Sequence, residues 1–268
     1  MEYTISNMTI TRGFSNTAAN SCVGLFGLTN SPAVIKNVHF VNVDIQGSLY
    51  VGTVVGYGFT GSQISNCHVS GRIEIDGWWY IGGIGGNGYV NTIDNCSVVG
   101  DEDSYIKGND GSYVGGIWGY RGEGKQTISA CTVDNLAISG VDRVGGISGI
   151  AHYQNTIQNC AIANSVITTT NNIGNTGLIA GADLSDETNG VAKILDCTVT
   201  DTTATSDGEA VTTKVGSCNH SGDPANKPST VGTNVVFDSQ NKIISGKLEQ
   251  VAPDQLADNV VAVPQEDG

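Results

Sequence analysis

Apolar positions in this chain follow two interleaved motifs rather than a helical period. An Ile-x-Asn motif stands at ISNM (5–8), IKNV (35–38), ISNC (64–67), IDNC (93–96), ISAC (128–131), IQNC (157–160) and ILDC (194–197). The Ile-to-Ile steps are 30, 29, 29, 35, 29 and 37. Between these copies lies a glycine-bounded apolar motif: VGLFG (23–27), VGTVVG (51–56), IGGIGG (81–86), VGGIWG (114–119), VGGISG (144–149) and TGLIAG (176–181). Two motifs sharing one period mark a repeat architecture. Each unit reads as a strand with a bend at Asn, an alternating second strand such as RIEID (72–76) or LAIS (136–139), and a third strand at the glycines.

Three short strands with turns use about 30 residues, the size of one turn of a solenoid. The expected fold class is therefore all-β, a right-handed parallel β-helix of about seven turns, because parallel crossovers are overwhelmingly right-handed. At about 4.8 Å per turn the stack is a rod about 35 Å long. In such a stack Asn7, Asn37, Asn66, Asn95 and Asn159 fall on one line, an asparagine ladder broken at Ala130 and Asp196. Cys67, Cys96, Cys131, Cys160 and Cys197 form a second line facing inward, where Cys acts as a small hydrophobe. A zinc site is not expected from that line, because zinc needs converging ligands and a ladder spreads along an axis.

Two segments read as insertions, hence as loops: GDEDSYIKGNDGSY (100–113) and ADLSDETNGVAK (182–193). Residues 200–231 read as an irregular last turn with VGS (215–217) as a faint glycine motif, so the repeat domain is expected over 1–231. Residues 232–268 are expected to cap the open end, with NVVF and KIIS as strands and Pro253 to Asp258 as one helical turn. The first motif starts in mid-strand, so residue 1 reads as the middle of a longer protein.

The VGGIWG and VGGISG motifs, each preceded by an Ile-x-Asn strand, resemble the GLUG-motif repeats of bacterial surface proteins over residues 1 to about 217. The shortened VGLFG and the altered TGLIAG depart from that pattern. The resemblance implies a repeat region of a large exported protein, as in adhesins of host-associated bacteria and regions flanking the catalytic part of some immunoglobulin-cleaving peptidases. It marks architecture rather than activity.

Composition narrows the partners. Twelve basic against 26 acidic residues give a net charge of −14, which disfavours nucleic acid as a partner. No run of apolar residues is long enough to span a membrane, and MEYTISNMTI lacks the basic and apolar regions of an export signal. A monomer at the cell surface or outside the cell is expected, its export signal lying outside this sequence.

Candidate chemistry is sparse. Aligning the second strands puts Asp44 beside Glu74 and Gln46 beside Asp76 with Arg72 close by, alternating with inward Val43, Ile45, Ile73 and Ile75. Adjacent carboxylates suit a retaining glycosidase pair or a calcium ion, and no other cofactor is expected; a solvated acidic face is the simpler reading. His39 and His68 share a repeat position, which continues as Ser97, Thr132 and Ala161, so no third metal ligand recurs. Cys218 and His220 form only a Cys-x-His pair. No nucleophile elbow, zinc-protease motif or phosphate loop is present. Aromatic residues, in contrast, gather: Tyr50, Tyr80 and Tyr113 each precede a glycine motif, with Trp78 and Trp79 in the same turn and Tyr57, Trp118 and Tyr120 around the glycines. Such a strip can receive a sugar ring or the apolar patch of a host surface protein, or can simply cover glycine backbone. The expected function is a non-catalytic, adhesin-like repeat region that binds glycan or protein or acts as a spacer. The alternative is a carbohydrate-active enzyme or binding module using Asp44, Glu74, Asp76 and Arg72.

Overall fold

The computed structural model describes residues 2–14, 21–110, 112–121, 125–152, 154–170, 175–182, 192–212 and 214–216, together with the backbone of strands Ser229–Phe237 and Ile243–Val251. All regular structure among these residues is β, arranged in three sheets. Each strand of one repeat pairs in parallel with the matching strand of the next, so the repeats stack. The Ile-x-Asn strands align Ile35, Ile64, Ile93, Ile128, Ile157 and Ile194 in one column. The alternating strands align Ile10, Ile45, Ile75, Ile106, Ile138 and Ile167 in another. The glycine-motif strands align Val51, Ile81, Val114 and Val144. Apart from Ile10 at the first repeat and Ile35 at its edge, these side chains are almost fully buried in one continuous core. The packing therefore rests on like-on-like columns, each apolar residue capping the one below.

The chain turns twice between first and second strands by using left-handed residues. Asn37, Asn66, Asn95, Ala130, Asn159 and Asp196 have φ between 48° and 60°, a region that penalises a Cβ and that Asn and Asp tolerate best. Asn66 Nδ2 donates to Asn37 Oδ1 at 3.1 Å and Asn95 Nδ2 donates to Asn66 Oδ1 at 2.7 Å, which is the ladder inferred above. Asn7 does not belong to it. The register Tyr3↔Val38 through Thr11↔Gln46 sets Asn7 level with Asn42, and Asn42 Nδ2 donates to Asn7 Oδ1 at 3.1 Å. A second left-handed column thus runs through Asn7, Asn42, Gly71, Asn135, Asn164 and Asp201. ISNM (5–8) therefore matches FVNV (40–43), which has the same apolar-x-Asn-apolar spelling at the second bend, and not the first-bend motif expected from the sequence.

The cysteine line is buried: Cys67, Cys96, Cys131 and Cys160 are at most 1% exposed and Cys197 8%, all with free thiols. Each Sγ hydrogen-bonds the carbonyl two residues earlier, across the left-handed bend, at 3.2–3.5 Å. Hydrogen bonding to neighbouring cysteines, followed by burial, holds Cys67, Cys131 and Cys197 well above the usual thiol range.

Trp118 belongs to the core rather than to the surface aromatics. It is fully buried, its Nε1 donates to the Tyr120 carbonyl at 2.9 Å, and it sits directly above Gly85. A Cβ on Gly85 would lie 2.0 Å from Trp118 Cζ3, so the glycine is the space the indole occupies.

The segment 100–113 is not one loop. Tyr105–Gly108 is a strand in register with Glu74–Gly77, and Tyr113 is opposite Tyr80. The extra length divides between the turns on either side of it. In the first, the buried Ser104 hydroxyl donates to the Gly71 carbonyl at 3.2 Å and accepts from Ile73 N–H at 3.0 Å. Residues 183–191 of the other expected insertion lie outside the described residues. At the far end Val215 pairs with Ala180, and Ser229–Phe237 pairs in parallel with Lys193–Leu195, putting Val231 on the isoleucine column. That strand runs through the boundary placed at 231/232. Ile243–Val251 then pairs antiparallel with it, while Pro253 to Asp258, Cys218 and His220 lie outside the described residues.

Candidate functional site

Alternation on the strands Tyr50–Gly52, Tyr80–Gly82 and Tyr113–Gly115 turns Val51, Ile81 and Val114 inward and the tyrosines outward. The glycines that follow permit close strand approach: a Cβ on Gly52 would stand 2.4 Å from Gly85 Cα. The three phenol rings pile along the stack, Tyr50 on Tyr80 at 5.4 Å and 23° and Tyr80 on Tyr113 at 5.1 Å and 24°. A second set leans against them. Tyr120 contacts Tyr80 and Tyr113 at 5.1 and 4.9 Å, Tyr57 contacts Tyr50 at 5.3 Å, and Tyr89 reaches Tyr57 at 6.4 Å. The rings are half-buried in one another. Burial, followed by the neighbouring phenols, pushes Tyr80 up to about 12, and burial also raises Tyr50 and Tyr57.

This packing corrects the picture of a strip of open rings. The faces of Tyr80 are taken by Tyr50 and Tyr113. The column ends at Arg143, whose guanidinium lies 4.8 Å from the Tyr113 ring centre. Arg143 pairs with Asp142, both side chains being less than one fifth exposed, and Asp142 Oδ1 accepts from Asn175 Nδ2 at 2.6 Å. Open aromatic surface lies instead at the margins, at Trp79 (39% exposed), Tyr89 (37%) and Phe59 (41%). Trp79 touches Tyr80 at 5.9 Å, and Trp78 is only partly exposed. The signal for Phe59 and Tyr89 was in the register, since Gly58 pairs with Gly88 and places the two aromatics in one column beyond the glycines.

The carboxylates fall where the alignment put them: Asp44 opposite Glu74 and Gln46 opposite Asp76. They have separate partners. Arg72 is ion-paired with Glu74 and reaches Asp103 at 3.5 Å, whereas Asp76 accepts from Asn109 Nδ2. Burial raises the Asp76 carboxyl, and burial followed by the charge of Glu74 raises the neighbouring Tyr105. An open depression of about 250 Å³ lined by Asn7, Thr9, Asn42, Asp44, Arg72 and Glu74 lies beside them. Among the described residues no group of three or more His, Cys, Asp and Glu is arranged to hold a metal ion. His39 and His68 are in register with rings 6.5 Å apart, but each imidazole bonds a serine of the next repeat, Ser70 and Ser97, at 2.8 Å. No helix among the described residues is long and apolar enough to cross a membrane.

No protein-family model matches the sequence, and no curated protein matches it. Among solved structures the chain is similar to one described as a "putative immunoglobulin A1 protease from Bacteroides ovatus", with a TM-score of 0.50 and 18% sequence identity. The likeness covers 85% of this chain and 65% of the other, so this chain spans just under two thirds of its solved neighbour. At that identity the similarity is one of fold alone.

Proposed function

We propose that the chain is a right-handed parallel β-helix of GLUG-like repeats, forming a non-catalytic, extracellular region of an adhesin-like bacterial surface protein. Its ligand surface is the aromatic face of the second to fourth repeats. The observation that carries this reading is that the Tyr50–Tyr80–Tyr113 column starts and stops while the buried columns run on: Cys22 precedes the paired Val23 below, and Arg143 and Asn175 hold the equivalent places above. A core-covering role alone gives no reason for that restriction. A rigid aromatic surface also binds at low entropic cost, since the rings are already held by one another.

The experiment is a screen of the folded chain against a glycan array and extracellular-matrix proteins. A Tyr80→Ala, Tyr113→Ala double variant that remains folded is expected to lose about 1 kcal/mol of binding per ring. Unchanged binding by that variant would remove the surface from consideration.

A carbohydrate-active alternative keeps one observation in its favour, the depression beside Asp44 and Glu74. Against it, both carboxylates project from neighbouring strands of one face, and Glu74 is held by Arg72. The solved neighbour's name brings a peptidase to mind, but it belongs to a chain that extends well beyond the shared fold.

A further inference from the structure

We infer that the buried cysteine column is a binding site for a soft, two-coordinate metal cation, held in line between the sulfurs of neighbouring repeats. The inference is independent of the aromatic face. It starts from the register: His68, Ser97, Thr132, Ala161 and Thr198 are paired strand to strand, so the residues just before them, Cys67, Cys96, Cys131, Cys160 and Cys197, stand on five consecutive repeats. All five are buried and carry free thiols. Adjacent thiols interact directly, Cys96 with Cys67 and Cys131, and Cys160 with Cys131 and Cys197.

The spacing selects the geometry. Paired strands lie about 4.8 Å apart, so like side chains on them set their sulfurs at about that separation. A metal–thiolate bond is about 2.3 Å long, so one ion in line between two such sulfurs spans about 4.6 Å. A disulfide would need the same sulfurs to close to about 2.05 Å. The side chains are turned into the core while the column runs along the stack. An ion between two sulfurs therefore meets each Cβ–Sγ bond at roughly a right angle, the bent geometry that divalent sulfur takes. Zinc wants four converging ligands, which a line does not supply, and no group of three or more ligating side chains is gathered among the described residues.

The class that fits is the soft cations that accept two thiolates in line, copper(I) and mercury(II). Binding replaces two thiol protons, released to solvent, by one ion. Mercury(II) with two thiolates is neutral, whereas copper(I) leaves one net negative charge inside the apolar core, which burial penalises. The carbonyl oxygens of Ile93, Ile128 and Ile157 lie 3.6–3.8 Å from the sulfurs of Cys131, Cys160 and Cys197 on the next repeat, adding partial negative charge that favours a cation there. Five sulfurs in one line hold two ions in separate pairs and leave one thiol over. The column also contains its own cysteine substitute, since Val38 is paired with Cys67.

The test uses the full chain carrying Cys22→Ser and Cys218→Ser, which removes the two cysteines outside the column. It is refolded from urea with mercuric ion present, so that burial does not bar entry, and is then freed of loose metal. The result expected is two ions per chain, an unchanged far-ultraviolet circular dichroism spectrum, and X-ray absorption showing two sulfurs at each ion. Two further variants both keep three column thiols. Cys67→Val with Cys197→Val leaves Cys96, Cys131 and Cys160 side by side and should hold one ion. Cys96→Val with Cys160→Val leaves Cys67, Cys131 and Cys197 two repeats apart, beyond the span of one ion, and should bind about a hundredfold more weakly in competition with a dithiol. Copper(I) should rank the two variants in the same order, and zinc should wash out. Equal affinity in the two variants, three or four sulfurs around each ion, retained zinc, or metal uptake with loss of the β signal overturns the inference. The absorption and dichroism measurements need no substitution in the column, so they decide it even where a valine variant fails to fold.

Discussion

The closest fit in the core is also the most decisive place to perturb it. Replacing Gly85 by Ala puts a methyl group 2.0 Å from Trp118 Cζ3 and 2.7 Å from two further atoms of the same ring. The indole cannot step aside without cost, because it is fully buried and its Nε1 is committed to the Tyr120 carbonyl. Overpacking of this kind costs about 1–3 kcal/mol, and the severity of the overlap points to the upper end. Trp118→Ala alone leaves a void the size of an indole and should cost about 3–5 kcal/mol. The three nearest obstacles to the new methyl group all belong to Trp118, so in a Trp118→Ala background the Gly85→Ala change should cost close to nothing, or gain up to about 1 kcal/mol by stiffening the strand. Equilibrium urea unfolding followed by far-ultraviolet circular dichroism measures all four proteins without relying on tryptophan emission. Costs that add to within about 0.5 kcal/mol would refute the claim that Gly85 exists to house the indole.

Ala130 occupies a left-handed bend at φ 51° that its column fills elsewhere with Asn or Asp; Ala130→Asn should raise stability by about 1 kcal/mol in urea unfolding, and a loss would show that the bend is held by other contacts. Burial and the surrounding phenols raise Tyr80 to about 12, above the ordinary value of 10, so its stabilising contribution is complete below pH 10 and falls away as pH rises towards 12. Ultraviolet titration should therefore show a late-ionising tyrosine that disappears in Tyr80→Phe; a curve unchanged by that substitution would refute the assignment. The five stacked cysteines should react slowly with Ellman's reagent in the native protein and yield at least five thiols after unfolding, because in-register positions about 4.8 Å apart do not present the converging Cβ geometry of a disulfide. Two or more disulfides among them would contradict the buried thiol column.

Much of the register was legible because a strand's side-chain period is fixed at two residues. Aligning Ile35 with Ile64 pairs His39 with His68, whereas Asp44 with Glu74 and Gln46 with Asp76 need one extra residue at the second bend, which matching the inward Val43 and Ile45 with Ile73 and Ile75 supplies; the structure has these pairings and the shift between Val41 and Val43. What the motifs could not carry was any feature written twice. The left-handed bend occurs at two corners with the same spelling, so the first copy, lacking its neighbour, was assigned to the wrong one. Nor did length reveal where extra residues go: 100–113 looks like a loop, yet Tyr105–Gly108 keeps the pleat because Ile106 belongs to a buried column. Trp118 was misread for a similar reason, since an aromatic inside a glycine motif suggests a surface until the glycine beneath it is recognised as its socket.

The aromatic face shows where pattern ends and geometry begins. Three outward tyrosines on neighbouring strands must stand about 4.8 Å apart, which is too little to admit a guest between rings and enough for tilted rings to close on one another. Their column was readable from sequence, but their availability was not. The consequence is a division of labour within one patch. Tyr80 contacts four other aromatic rings, so its removal changes both stability and surface. Among the described residues Trp79 shows a single ring contact, to Tyr80, and exposes its indole, so its removal should change recognition with little effect on folding. Measuring unfolding and binding on the same two variants separates a tyrosine column that serves the fold from a tryptophan that serves a partner.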